Sequence, residues 1–260
     1  MIWKICMGRN FVKYILETSD TIPDGVGFAH YGSLHCFWLG VAAAVFVAAC
    51  LLYRRLDTNK RCVMRKTVAL LIIANELFKM AVLLIGGNYE WHYLPLHLCS
   101  INIILIAFHA LRGGKVLGNY LYTVGIPGAL VALLFPTWNR LPAINLMCIH
   151  SFTVHIQLVC YPLMLLVGGD IRPDIRKVPA CLLLLGGLAL VALGCNLLLD
   201  TNFMFLMYAG AGNPLKLFED LWGNHLWGFA VIIPAVIAVM HVPIIVYRRC
   251  SSRRGSKIAL

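Results

Sequence analysis

Charged side chains are scarce in this chain, because Asp, Glu, Lys and Arg together make up only 13% of its 260 residues. A soluble domain of this length carries about 25% charged residues, so a soluble globular protein is excluded. Hydrophobic residues reach 60% and occur in blocks of roughly 17–21 residues, which is enough to cross the hydrocarbon core of a bilayer. The composition predicts an all-α, polytopic membrane protein.

Acidic residues are the scarcer of the two charge types: 11 Asp and Glu stand against 22 Lys and Arg, for a net charge of +11. Such an excess is also found in nucleic-acid-binding proteins. Here the basic residues lie mainly in short loops between apolar blocks, where they orient membrane helices. We therefore expect no nucleic-acid partner.

Several motifs are missing as well. The ten cysteines include no CxxC pair, which argues against a zinc knuckle or a thioredoxin-type site. No nucleotide, haem or flavin motif and no metal-ligand spacing is recognisable, so we expect no cofactor and no metal. The first 20 residues lack the apolar core and small-residue cleavage site of a cleavable signal peptide, and the first span is expected to direct insertion.

The apolar blocks predict a single bundle of seven spans without internal repeats. The spans are approximately 34–53, 67–86, 96–111, 117–135, 144–167, 178–199 and 225–247. The third could extend to Pro95, which suits the first turn of a helix. An N-terminal segment 1–33, with a short surface helix at 9–19, precedes the bundle, and a basic tail 248–260 follows it. The apolar segment 200–224 is expected to lie on the membrane surface or to dip back into the bundle.

The loops predict the orientation of this bundle. With seven spans, the two long basic connections, the "RGGK" loop and the tail share one side and hold 16 of the 22 Lys and Arg residues. Basic residues in short loops stay in the cytoplasm. The N-terminus is therefore predicted outside and the C-terminus in the cytoplasm, as in a multi-pass protein of the cell membrane.

Polar residues are concentrated in the predicted outer half of the spans. Polar groups within a membrane normally face the bundle interior or a watery cavity, so this asymmetry indicates a pocket that opens outward. The residues concerned are His35, His97, Cys99, His150, His155, Asn196, Asp200 and Asn202.

The second span carries "NELFK", with Asn75 and Glu76 near its middle and Lys79 three residues after Glu76. Residues at this spacing share a helix face. One interpretation is an intramembrane ion pair that ties the helix to its neighbours. The other is that Glu76 or Asn75 orients a catalytic histidine or binds a cation, because charges within a membrane commonly mark functional sites.

The fifth span reads "HSFTVHIQ". His150, Thr153 and Gln157 share one face, and His155 points roughly 140° away from His150. The spacing differs from the i, i+4 pattern that presents two histidines to one metal. Each histidine could equally be bonded to a neighbouring helix.

In the stretch "LPLHLCS", residues 94–100, Cys99 falls near a helix N-terminus, where the helix dipole favours a thiolate. A buried, inert cysteine is the alternative. His97 lies about 200° around the helix from Cys99, so a histidine from another span would be the better partner.

Five segments occur in an order that resembles a known family: "NELF" (75–78), "LPLHLCSI" (94–101), "GIPGALVALLFP" (125–136), "HSFTVH" (150–155) and "NLLLDTNFMFL" (196–206). Together they resemble the bacterial YwaF-like integral membrane family, which is similar to the eukaryotic transmembrane protein 164 group. The resemblance implies transfer of fatty acyl chains onto lysophospholipids, a location in a bacterial plasma membrane, and a reactive cysteine and histidine. The cysteine would be Cys99 and the histidine His150 or, with a poorer fit, His155.

The leading functional hypothesis is thus a lipid acyltransferase or acyl-ester hydrolase whose substrates are membrane lipids. Cys99 would be the nucleophile, His150 the general base, and Glu76 or Asn75 its orienting group. His97, Asn196 or Asn202 would stabilise the oxyanion, and His155 and His35 are further candidates. A small-solute or ion transporter and a ligand-binding sensor remain alternatives, and the sequence does not define an oligomeric state.

Overall fold

The computed structural model describes residues 12–210 and 213–257, which contain no strand. Helices account for 74% of the chain. They are α1 (Ser33–Arg55), α2 (Thr58–Gly86), α3 (Leu98–Arg112), α4 (Lys115–Tyr120), α5 (Ile126–Leu134), α6 (Leu146–Gly168), α7 (Val178–Leu199), α8 (Leu215–Trp222) and α9 (Trp227–Lys257).

The prediction of seven spans is confirmed: seven helical segments in the described part of the chain are long and apolar enough to cross a membrane. The second span begins at Thr58 rather than at residue 67, because the Asp57 side chain caps it by accepting a 2.9 Å hydrogen bond from the Lys60 N–H. Several basic residues of the predicted first loop therefore lie in the first turns of α2.

The start of the third span differs from the prediction. Residues Trp91–Tyr93 form a 3₁₀ turn, a further turn follows, and α3 begins only at Leu98 with His97 as its N-cap. Pro95 thus precedes the helix, and its predicted place in the first helical turn was wrong. As a result Cys99 is the second residue of α3.

The fourth span combines three helical pieces, because Leu121–Gly125 form a π-helical turn between α4 and α5. Pro127 follows this turn. Proline lacks an N–H and clashes with the carbonyl group four residues earlier, so a local π register relieves the conflict.

Helix α6 forms the centre of the bundle and packs against α1, α2 and α5. Its N-cap Asn145 accepts hydrogen bonds from the N–H groups of Met147 and Cys148 at 2.8 and 3.0 Å. Helix α2 has one face on α6, whereas Leu70, Leu77 and Leu84, spaced seven apart, are more than 60% exposed. In a membrane this stripe faces lipid.

Because the number of spans is odd, the first begins and the last ends on opposite sides of the membrane. We name these two sides by the ends of the bundle. On the N-terminal side α1, α3 and α6 begin and α5 ends, and on the C-terminal side α1 ends. The assignment of the N-terminal side to the cell exterior stays a prediction.

The segment between the sixth and seventh spans dips partly back into the bundle, as one of the two alternatives predicted, and its place on the membrane surface stays a prediction. Phe203 is fully buried in the bundle, whereas Leu217, Leu221 and Trp222 of α8 are more than half exposed. Helix α9 continues to Lys257, so the predicted tail begins as helix. Of the predicted helix at 9–19, only Val12–Tyr14 form a 3₁₀ turn, and residues 1–11 and 258–260 lie outside the described residues.

Candidate functional site

A buried charge cluster links α2 to α6 near the N-terminal side. The Lys79 ammonium donates to Glu76 Oε1 and lies 3.5 Å from the carbonyl oxygen of Tyr93. The other carboxylate oxygen, Glu76 Oε2, lies 3.8 Å from His150 Nε2. One carboxylate therefore faces both the Lys79 ammonium and the His150 imidazole.

His150 itself has unused hydrogen-bonding capacity. Its residue is 5% exposed, and in the described part of the chain neither ring nitrogen has a hydrogen-bond partner. Burying an unpaired polar group costs about 1–3 kcal/mol. A ligand that bonds to the imidazole would recover this cost, which makes His150 the clearest functional candidate among the histidines.

Asn75 is engaged elsewhere. Its amide nitrogen donates to Thr153 Oγ1 at 2.9 Å and to Gln157 Oε1 at 3.2 Å. The predicted shared face of span 5 is therefore the face that contacts α2. Thr153 and Gln157 lie on this face three and seven residues after His150. Of the two residues considered for orienting His150, Glu76 lies beside it and Asn75 instead joins the two helices.

Cys99 is a free, partly buried thiol in the first turn of α3. This position is closer to the free N–H groups of the helix start than the sequence alone indicated. Its thiol has no hydrogen bond in the part of the chain that the structure describes, including none to His150. The helices that carry the two residues, α3 and α6, are in contact.

Two buried polar groups near Cys99 were not singled out from the sequence. Asn102 lies three residues after Cys99 on the same face of α3, is 1% exposed, and has no hydrogen-bond partner for either amide atom among the described residues. The Tyr120 hydroxyl is likewise buried without a partner among the described residues, and it lies within electrostatic range of the Cys99 thiol.

The π-helical turn explains how span 4 approaches Asn102. A Cβ atom placed on Gly125 would lie 3.8 Å from the Asn102 amide nitrogen. π turns often occur at functional sites because they displace backbone and side chains from regular positions. An asparagine inside an apolar span was the available sequence signal. The spacing of Asn102 from Cys99 would have linked the two.

One comparison with known proteins decides the family. The sequence model that describes the TMEM164 family matches residues 30–243 of this chain. The chain belongs to the TMEM164 family. No curated protein and no solved structure matches it. As a member of this family with seven apolar helices, it is a multi-pass membrane protein. The bacterial YwaF-like resemblance stays a prediction.

Three of the predicted supporting residues of this TMEM164-family chain hold its architecture. His35 accepts from the Tyr31 N–H at 2.9 Å and donates to the Leu133 carbonyl at 2.7 Å, which joins the start of α1 to the end of α5. Both of its ring nitrogens are therefore occupied.

Asn196 and Asn202 shape the segment after α7. The Asn196 amide accepts from the Phe203 N–H at 2.6 Å and donates to the Phe203 carbonyl at 3.1 Å. Asn202 bonds in the same way to the backbone of Tyr208 and Met207. Since these amides are already bonded to backbone groups, they are poorly suited to the oxyanion role considered from the sequence.

The two remaining histidines are also packed into local structure. His155 donates from Nδ1 to the Ser151 carbonyl at 2.6 Å and stacks on Trp138 with ring centroids 5.0 Å apart. The His97 ring contacts Phe203 edge-on at a centroid distance of 5.3 Å. His97 thus turns toward the 200–224 segment, and His155 toward Trp138.

The chemistry available to this family member is therefore proton transfer at His150 beside Glu76, together with a thiol at Cys99 and an amide at Asn102. No cluster of three or more His, Cys, Asp or Glu side chains that could hold a metal ion occurs in residues 12–210 and 213–257.

Proposed function

We propose that this protein is an intramembrane, thiol-dependent acyltransferase or acyl-ester hydrolase that acts on membrane lipids. The observation that carries the proposal is the environment of His150: a buried imidazole with both nitrogens free of hydrogen bonds, 3.8 Å from a carboxylate and on a helix that contacts α3. A general base needs a lone pair that no other group already uses, and Glu76 is the carboxylate that we expect to face the imidazolium.

In the proposed first step, His150 takes the thiol proton of Cys99 and the thiolate sulfur attacks the carbonyl carbon of a lipid ester. When the C–O bond of the tetrahedral intermediate breaks, the leaving alkoxide takes the proton from the imidazolium. A thioester on Cys99 and a free hydroxyl result. His150 then deprotonates a lysophospholipid hydroxyl or water, which attacks the thioester, and the released thiolate is protonated again.

The Cys99 and His150 side chains must approach each other when substrate binds, because catalytic hydrogen bonds often form only in the substrate complex. We expect the first turn of α3, which carries Cys99, to lie at the level of the phospholipid ester groups at the membrane interface. Cys99 packs against the main core of the bundle, whereas its neighbour Leu98 packs against a separate apolar cluster of Ile101, Ala192, Phe203 and Met204.

Asn102 is the amide that we assign to the oxyanion in this mechanism, in place of His97, Asn196 and Asn202. It shares a face with Cys99, and its amide is unbonded among the described residues. A buried amide that bonds only to the transition state contributes to the rate without stabilising the folded protein.

Covalent capture tests the proposal. Protein in nanodiscs is incubated with a phospholipid that carries an alkyne-tagged acyl chain, and a hydroxylamine-sensitive adduct on Cys99 is sought by mass spectrometry. We expect labelling of wild type and of Cys195→Ala, a matched control since Cys195 is also partly buried near the N-terminal side. We expect none for Cys99→Ala. Absence of a Cys99 adduct in wild type, with solute flux in liposomes unaffected by Cys99→Ala, would favour transport instead.

Asn102→Leu separates a catalytic amide from a structural one. Leucine keeps the branched shape of asparagine and removes two unpaired buried polar atoms, so the thermal stability should be retained or rise, since replacing unsatisfied groups by apolar ones is neutral or stabilising. Loss of an oxyanion donor should slow acyl transfer by about 100-fold. Thermal unfolding and single-turnover acylation measure the two effects, and a stable variant with the wild-type rate would remove Asn102 from the mechanism.

A further inference from the structure

A second polar region lies on the C-terminal side of the bundle, away from Cys99. It is a partly open cavity of about 1070 Å³. His109 of α3 contributes to its wall, and ten residues of helix separate His109 from Cys99, which corresponds to about 15 Å along the axis. The cavity is therefore distinct from the site proposed for acyl transfer.

Basic side chains converge on this cavity from three different elements. Arg65 comes from α2, Lys115 from the start of α4, and Arg172 and Lys177 from the connection before α7. Topology alone calls for basic residues on this side of the membrane, but it does not require them to surround one cavity.

The acidic residues of the wall are already occupied. Asp170 accepts a hydrogen bond from the Tyr53 hydroxyl and lies 3.6 Å from Arg61. Asp174 accepts from the Arg176 N–H at 3.0 Å and lies 3.5 Å from the Lys177 ammonium.

The basic residues of the wall, in contrast, are only partly compensated. Arg65, Lys115 and Arg172 have no carboxylate within 4 Å in the part of the chain that the structure describes. Arg65 Nε is also buried without a hydrogen-bond partner there. The four basic residues of the wall thus outnumber its two carboxylates.

We propose that this cavity binds a phosphate group. Guanidinium and ammonium groups are the usual protein ligands of phosphate, and basic pockets between membrane helices bind the headgroups of anionic lipids. Leu166, Ile171 and Ile244 also line the cavity, so it combines its cations with an apolar wall. A phospholipid headgroup would use both features, and a soluble phosphate ester would use the cations alone.

Binding to purified protein in a neutral detergent tests the proposal. The probes are dioctanoyl phosphatidylglycerol and, separately, inorganic phosphate, and their affinities are measured by microscale thermophoresis. The cavity variant is Lys115→Gln/Arg172→Gln. The matched control is Lys66→Gln/Arg176→Gln, which removes the same charge from exposed residues of the same side that do not line the cavity.

We expect the cavity variant to bind at least about tenfold more weakly than wild type and the control to stay within about twofold, because only contacts in the cavity are lost. If wild type binds the lipid but not inorganic phosphate, the cavity is a lipid headgroup site. If it binds both probes with equal affinity, the ligand is a soluble phosphate ester. Equal weakening in both variants would show a diffuse charge effect and overturn the proposal. So would the absence of binding of either probe to wild type.

Discussion

Replacement of His150 by glutamine is expected to slow acylation of Cys99 by about 100- to 10,000-fold, which is the range for loss of a general base. Glutamine retains the size and the hydrogen-bonding capacity of the side chain but cannot accept the thiol proton. The buried ion pair of Glu76 and Lys79 stays in place, so the fold should survive. Single-turnover labelling with the alkyne-tagged phospholipid measures the rate.

His155→Gln is the matched control, because both histidines lie on α6 and the sequence left open which of them is the base. The His155 imidazole is bonded to the Ser151 carbonyl and stacked on Trp138, so its replacement should lower the stability and leave the acylation rate little changed. If His155→Gln lowered the acylation rate and His150→Gln did not, the base would be His155 and the mechanism proposed here would be contradicted.

The fold was largely predictable because its main determinant is local. Seven apolar blocks give seven spans, and helical periodicity correctly paired Glu76 with Lys79 and placed Thr153 and Gln157 on one face. The errors occurred at helix starts, because the capping residues and the preceding turns determine where a helix begins. Asp57 extended α2 toward its N-terminus, and the turn through Pro95 delayed α3 to Leu98.

The candidate site was less predictable, because the role of a polar side chain depends on which backbone groups other segments bring to it. His35 and Asn196 looked like pocket residues in the sequence. The end of α5 and the loop at Phe203 supply their partners. Asn102 shows the reverse case: its place inside an apolar span was the only signal in the sequence, and the amide becomes notable because the folded bundle leaves it unbonded among the described residues.

Replacement of Lys79 by methionine is expected to destabilise the protein by about 3–5 kcal/mol, because removing one partner of a buried ion pair leaves the other charge uncompensated. Lys79 is 7% exposed, and methionine fills a similar volume. Thermal unfolding followed by intrinsic fluorescence in detergent should show a midpoint lower by on the order of 10 °C. Lys216→Met is the control, because its ion pairs with Glu219 and Asp220 are exposed and should contribute little to stability.

The double variant Glu76→Gln/Lys79→Met separates the structural role of the pair from its catalytic role. With both charges removed, no buried charge is left alone, and most of the lost stability should return, because a buried ion pair is often replaceable by neutral groups. The acylation rate should stay low, since Glu76 Oε2 is the carboxylate oxygen beside His150 and a glutamine cannot stabilise the imidazolium to the same extent. Recovery of both stability and rate would show that the pair only joins α2 to its surroundings, and stability losses that simply add would show that Glu76 and Lys79 do not compensate each other.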